Sequence, residues 1–443
     1  MGKRIAIAFL VGVALAAAFV LGYMSHRNGL IPLTWRSMVR ETASKLLGNN
    51  QAPAATPRGD MFPLRTAATA TPDDEAILSI GYLQASKPAT ETSGVTLHDT
   101  DLASKGLNLY TSGHAPEAVL MDMDGRVLHT WRREFASVWP VSSRPDYVRE
   151  ASLQYWRRAY LYPNGDLLAI FEGIGLIKVD KDSNLLWSYR GGCHHDVFMT
   201  PSGDIYVLTS ELVQPSWLQA EYRYIDNSIA VLDAKGQEKK RVSMLDCFRN
   251  SAYAPLLKRL PKEGDLLHVN TLTVLSGSHT NLGPAFAAGN VLVSVLGLDA
   301  VAVIDIERQT VPWVMTGMWH AQHQPELLDN GNILVFDNRG AVTHSRVLEV
   351  NPLTQEVVWQ YPGDGDPPFY SEWCGSSARL PNGNTLITET DNGRALEVTP
   401  DHRIAWEFVN PNQLTENGAT LVAALFEVVR LPEDYCASWL PKP

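Results

Sequence analysis

The sequence has only four cysteines in 443 residues, and none forms a C-x-x-C pair, so a cysteine-based zinc site finds no support. It has no basic excess. Thirty-seven Lys and Arg stand against 48 Asp and Glu, a formal charge of −11, which excludes nucleic acid as the main partner because phosphates require a basic footprint. Neither H-E-x-x-H nor H-x-x-x-H occurs, which decides little about a metal, because ligands can converge from separate elements of a fold. Beyond residue 23 no apolar run is long enough to cross a bilayer, which excludes a multi-span membrane protein. What is present is 45% hydrophobic residues, 12 Trp, 15 Tyr, 32 Gly and 27 Pro. That composition supplies a core and points to many short elements joined by tight turns, not to a helical bundle.

The exception to the short elements is the N-terminus. Lys3 and Arg4 precede an unbroken apolar run from Ile5 to Tyr23, IAIAFLVGVALAAAFVLGY. Nineteen residues reach about 28 Å as a helix, close to the hydrocarbon thickness. The run exits through Tyr23-Met24-Ser25-His26-Arg27, a poor cleavage site, so an uncleaved signal anchor is expected over residues 1–25. The basic pair favours a cytoplasmic N-terminus, with the rest of the chain carried across the membrane. Residues 31–48 fit a short amphipathic helix, and 49–73 read as an Ala/Pro/Thr-rich linker. Residues 26–105 are thus a juxtamembrane segment and linker with N-terminal strands, and 106–443 form the folded body. Cys193, Cys247, Cys374 and Cys436 would then lie where disulfides persist, although the spacing selects none of the three complete pairings.

The body repeats itself. An apolar strand, a polar turn and a second strand that usually ends in Trp recur as 118–131, 176–187, 301–313, 347–359 and 395–406, with a Trp-less copy from Ile229. Alternating apolar residues about such turns are β-hairpins. A second unit precedes most of them, a Gly-containing turn followed by apolar residues, as in Tyr162-PNGDLLAI, Thr200-PSGDIYVL, Leu328-DNGNILVF and Leu380-PNGNTLIT. The last three hairpin tryptophans are 46 and 47 residues apart, one propeller blade. Six hairpins predict an all-β, six-bladed β-propeller, with Ala423-ALFEVVRL helping to close the ring.

A repeat allows equivalent positions to be compared within one chain. Eight residues before each turn glycine stand Arg157, His195, His323 and Gly375. His268 takes the corresponding place in the remaining blade. Innermost strands line a propeller axis, so these side chains should converge on one mouth of the channel. Six of the twelve histidines, including His194, fall between His194 and His323.

From about Gly106 onward the chain resembles the bacterial arylsulfate sulfotransferase family, through Gly106-LNLYTSGHAPEAVLMDMDGRVLHTW, His194-HDVFMTPSGDIYVL, His268-VN and Gln322-HQPELLDNGNILVFDN. The resemblance implies a six-bladed propeller that moves a sulfuryl group from an aryl sulfate to a phenol. It does so through a sulfated histidine, with no metal, no other cofactor and no nucleotide sulfate donor. Residue by residue it implies His323 as nucleophile, with Gln322 beside it. His268 and Asn270 hold sulfuryl oxygens, and His195, with His194 as the alternative, exchanges a proton with the phenolic oxygen. A bacterial source would put the anchor in the inner membrane and the propeller in the periplasm.

One departure stands out. The family places an arginine in the strand after the His-x-Asn segment, and here that place falls at Leu296 or Gly297. Arg157 is the expected substitute, with Arg339 and Arg379 behind it. The chemistry asks for such a group. A neutral imidazole can attack sulfur near pH 7, a second group must protonate the leaving phenolate, and donors must meet the sulfuryl oxygens. Two other classes fit the same histidines less fully: a histidine-ligated metalloenzyme and a non-catalytic, envelope-anchored binding or scaffold propeller.

Overall fold

The computed structural model describes residues 84–440 apart from 146–147, 218–223, 261–263, 341–343, 366–368 and 417. The apolar run 5–23, the segment 31–48 and the linker 49–73 lie outside the described residues. The chain divides into two units, Met1–Met61 and Phe62–Pro443, and every described sheet belongs to the second. Among the described residues no helix is long and apolar enough to cross a membrane, and the only α-helix is Met244–Arg249.

The protein is all-β and propeller-like. Each expected hairpin is the outer pair of an antiparallel sheet, except 395–406, which Gly94–His98 flanks, and each Gly-containing turn joins an inner strand to the second. At Gly331 the turn needs φ of +82°, a value that favours a residue without Cβ. Six such sheets follow in chain order. Their inner strands are Leu425–Leu431 (sheet I), Arg158–Leu161 (II), Cys193–Met199 (III), Val269–Val274 (IV), His323–Leu327 (V) and Ser376–Arg379 (VI). Sheet I is built from both ends of the body, because Leu425–Leu431 pairs antiparallel with Leu107–Ser112. Gly94–His98 adds an outer strand to sheet VI, and Ala85–Pro88 joins a small separate sheet with Gln413–Glu416 and Ala419–Ala423.

Strands buried on both faces must pack against two neighbours, and the cores show which. Leu120 and Trp131 of sheet I pack with Leu167 of sheet II. Ile170 of II packs with Val207 of III, and Ile229 of III with Val293 of IV. Val303 of IV meets Val335 of V, and Phe336 of V meets Ile387 of VI. The series returns to its start where Leu386 and Trp406 of VI pack with Tyr110 and Val119 of I.

The hairpin tryptophans explain part of this order. Trp131 is fully buried and donates from Nε1 to the carbonyl of Gly165, in the turn of the next sheet, at 2.9 Å. Trp359 donates to Pro400 at 2.9 Å and Trp406 to Met123 at 2.8 Å in the same way. Each ring thus fills the gap between two sheets and satisfies its own N–H there. No disulfide joins any of the four cysteines, all of which are buried.

All six inner strands line one cavity of about 430 Å³, which Arg158, Asp196, Leu272, Glu326, Ala378 and Glu427 enter, one from each sheet. Arg158 ties three sheets there. Its Nε lies 2.9 Å from Asp196, and its Nη1 meets Glu427. The histidines stand at the opposite, N-terminal ends of these strands.

Candidate active site

Four of the inner strands open with a break in register, and three of the breaks lie on the histidine-bearing strands, between Cys193 and Val197, between Val269 and Thr271, and between His323 and Glu326. Bulges re-aim side chains. Here they carry His195 at φ +55°, His268 at +45° and Gln324 at +46°, a conformation that costs a non-glycine residue about 1–3 kcal/mol. The strain falls on His195 and His268, and on the residue that follows His323. His194, His195, His268 and His323 are all buried. The ring centroids of His195 and His268 are 5.0 Å apart and those of His194 and His195 4.8 Å, both edge-on.

His323 is held by atoms on its own sheet. Its Nδ1 lies 2.7 Å from Oδ1 of Asn338, at the end of the second strand, and 3.1 Å from the carbonyl of Ala321. The Asn338 amide nitrogen donates to the carbonyls of Ser371 and Cys374 at 2.8 and 2.9 Å, which fixes Oδ1 as the atom facing the imidazole. Both neighbours of Nδ1 are acceptors, so Nδ1 carries the proton. Nε2 is then a lone pair, and it is buried with no hydrogen-bond partner. The approach to the strand is fixed as well. Asp299 accepts from Ala321 N at 3.0 Å and pairs with His320 at 2.8 Å, while Asp337 accepts from His320 N at 2.8 Å. Burial pushes the His323 imidazole down to about 3, the Asn338 contact opposes it, and the charges of Arg157 and His268 add to it. The ring is neutral at pH 7.

His268 is oriented by Asp265, which accepts from its Nδ1 at 2.8 Å and from its backbone N at 3.1 Å. Asn227 steadies that carboxylate at 3.2 Å and accepts from Val269 N at 2.5 Å. Asn270, also buried, donates to the carbonyl of Gln322 at 3.1 Å and so ties sheet IV to the residue before His323. Gln322 itself turns away from the histidines. Its amide nitrogen donates to Ser294 Oγ at 3.1 Å and to the Ala300 carbonyl at 2.8 Å, so it braces sheet IV and has no free N–H for a substrate oxygen.

Arg157 is 5% exposed and lies inside the histidine group. Its Nε is 4.0 Å from Glu172, its Nη2 is 3.8 Å from Cys374 Sγ, and its guanidinium lies 5.1 Å over the Phe426 ring. Its charge adds to burial in pushing His194, down to about 4, and His195, well below the ordinary range. The other arginines are engaged elsewhere: Arg339 with Glu372 and Trp373, Arg379 with Glu349 and Trp359. At the family's arginine position, Leu296 and Gly297 donate their backbone N–H groups to His268 and Leu267, and a Cβ on Gly297 would lie 2.3 Å from the Leu266 carbonyl. No guanidinium enters from there.

Three residues that sequence reasoning passed over complete the site: Asn338, Asp265 and Glu172. Glu172 is buried beside His195. Its Oε2 accepts from His195 N at 3.1 Å, and its Oε1 is 3.2 Å from His195 Nδ1. Burial raises its carboxyl to about 7, and the charge of Arg157 opposes that rise. Glu172, His194 and His195 bring ligand atoms within 4.8 Å of one another. Their geometry is nevertheless that of a hydrogen-bonded set. The two Nδ1 atoms are 2.7 Å apart, which requires a proton between them, whereas two nitrogens on one tetrahedral ion stand about 3.3 Å apart.

Searching curated proteins finds no match. Among solved structures the chain is similar to a protein of unknown function from Bacteroides caccae, at 12% identity and a TM-score of 0.45, over 69% of this chain and 94% of that one. It is similar to a streptogramin B lyase at 13% identity and a TM-score of 0.41, over 77% and 92% of the two chains. A third is the Cps50 (Swd1) β-propeller domain of Myceliophteria thermophila, at 11% identity and 0.42, over 74% and 90%. The arylsulfotransferase (ASST) family profile matches residues 159–411, more than half of the sequence, and the chain belongs to that family.

Proposed function

We propose that this protein is a six-bladed β-propeller that transfers a sulfuryl group from an aryl sulfate to a phenol through a sulfated His323. The observation that carries the reading is the Nε2 lone pair of a neutral, buried His323, unpartnered and aimed by the Asn338 contact on Nδ1. Support for six blades comes from the six cores that lead from sheet I round to sheet I again.

The donor's sulfate lies between His323 and Arg157. Nε2 attacks sulfur, the bond from sulfur to the phenolic oxygen breaks, and its electron pair leaves on that oxygen. Arg157 takes the place of the family's arginine and, with His268 backed by Asp265, faces the sulfuryl oxygens. Losing one such donor typically costs about 2.7–4 kcal/mol. His195 gives the leaving phenolate a proton, an effect worth about 10²–10⁴ in rate. An incoming phenol then returns the proton and takes the sulfuryl group from His323. Asn270 and Gln322 position the strand that carries His323.

Mass spectrometry of the protein mixed with nitrophenyl sulfate tests this. An acid-labile sulfate adduct on His323 is expected in the wild type, and none in His323→Asn, whose amide N–H can take over the contact with Asn338 Oδ1 and so keep the fold. Transfer at wild-type rate by His323→Asn would remove His323 as nucleophile. The run 5–23 we read as a single-pass anchor of the inner membrane that leaves the propeller in the periplasm. Sedimentation with membranes, lost on deleting residues 1–25, is the expected result, and a soluble full-length chain would refute it.

A further inference from the structure

The transfer reaction has two half-reactions, and a proton must wait between them. It goes to the phenolate that leaves the first and comes from the phenol that enters the second. Resting on the transfer reading, we infer that Glu172 holds this proton and passes it through His195.

The geometry singles out this carboxyl. Asp265 has a donor on each oxygen, His268 Nδ1 on one and His268 N and Asn227 on the other. Glu172 is different. Its Oε2 accepts from His195 N, while its Oε1 is buried, 3.2 Å from His195 Nδ1, and has no hydrogen-bond partner. An orphan oxygen in so dry a place is costly for a carboxylate and natural for a carboxyl that carries a proton.

The charged and titratable groups around Glu172 are Arg157, His194, His195, His268 and Tyr155. Arg157 is the cation that faces it most closely, and the charge count follows from that. Before reaction the guanidinium is balanced by the aryl sulfate anion, with Glu172 neutral. At rest His194 Nδ1–H donates to His195 Nδ1; as His195 gives its Nε2 proton to the departing phenolate, its Nδ1 leaves that contact and takes the Glu172 proton. Afterwards the sulfated His323 is a zwitterion of ring cation and sulfonate, the phenol leaves neutral, and ionised Glu172 balances Arg157. The net charge of the buried pocket is unchanged throughout, which avoids the cost of an unpaired ion in a dry site. In the second half-reaction the acceptor phenol gives its proton to His195 Nε2, Nδ1 hands one back to Glu172, and the phenolic oxygen takes the sulfuryl group. Glu172 touches no substrate; it is a positioning and proton-holding residue that acts through His195.

Burial sets the Glu172 carboxyl near 7, where it can both give and take a proton. The test is Glu172→Gln, which keeps the size and a hydrogen-bond donor but cannot exchange a proton. Sulfation of His323 is followed with two donors, nitrophenyl sulfate, whose phenolate leaves without help, and phenyl sulfate, whose phenolate needs a proton. The expected loss is about 10²-fold or more with phenyl sulfate and less than about tenfold with nitrophenyl sulfate. The wild-type rate with phenyl sulfate should fall as pH rises through about 7, and the variant should lose that step. Equal losses on both donors, or none, would overturn the role of Glu172 and leave the transfer reading intact. A wild type that never sulfates His323 would end both. Should the variant fail to fold, difference infrared spectroscopy of the wild type mixed with phenyl sulfate at constant pH decides: loss of a protonated-carboxyl band in step with His323 sulfation supports the inference, and sulfation without that loss refutes it.

Discussion

Nδ1 of His323 meets Oδ1 of Asn338 at 2.7 Å, and the same amide is clamped by two carbonyls from the loop that leads into the following sheet. The contact decides which nitrogen of the ring is free, because a carbonyl oxygen that cannot flip forces the proton onto Nδ1.

Asn338→Ala should therefore act on stability and rate together. It strips the main acceptor from a buried N–H and leaves the Ser371 and Cys374 carbonyls without that donor. A loss of about 1–3 kcal/mol is expected by denaturant titration. Transfer should fall about 10–100-fold, since part of the population adopts the wrong tautomer. Full activity in a folded variant would show that Asn338 does not set the tautomer.

Arg157→Lys tests the substitute for the family's arginine. A guanidinium can face Glu172 and the Phe426 ring with one plane while offering N–H groups to a sulfuryl oxygen; a compact ammonium cannot. The rate of His323 sulfation in a single turnover should drop about 10²–10³-fold. A lysine variant at wild-type rate would mean that the planar fork plays no part.

The buried imidazoles give stability a pH dependence of known sign. The unfolded chain protonates His323 below about 6.5, whereas the folded one resists until about 3. The contribution of this ring is complete above 6.5 and is lost as pH falls toward 3. Glu172 runs the other way. Its raised carboxyl stabilises the fold fully below about 4.5, and that gain is lost as pH rises through about 7. Asp226 and Asp391, raised to about 6 by burial, share its sign. The net profile mixes these terms, but a difference isolates one. His323→Asn should gain about 2 kcal/mol on the wild type between pH 7 and pH 5, read from paired melting curves. A constant difference over that range would show that the ring is not held neutral.

Much of this was legible in the sequence. The turn glycines gave the register, the register gave Arg157, His195 and His323, and the structure brings all three together with His268. The hairpin tryptophans lie between sheets as expected of core residues. Gln322 shows the limit of adjacency. It sits beside His323 in the sequence, but neighbours along a strand point to opposite faces, and its amide braces Ser294 and Ala300. His194 and His195 break the same rule in the other direction, because the left-handed bend at His195 keeps both rings together. Glu172 and Asn338 had a signal that went unused: both stand seven residues after a turn glycine, Gly165 and Gly331. Asp265 had none, since it lies in a two-residue strand, Gly264–Asp265, that pairs parallel with Tyr224 and Ile225 and has no counterpart in the other repeats.

The pairing of Leu425–Leu431 with Leu107–Ser112 has a consequence for biogenesis. That strand is synthesised after every other sheet has all its residues, and it brings Phe426 beneath Arg157 and Glu427 to Arg158. Nascent or C-terminally clipped polypeptides ending before it would hold the four buried histidines of the candidate site without Phe426 under Arg157 or Glu427 on Arg158. Competence would arrive in a single step, with the final strand.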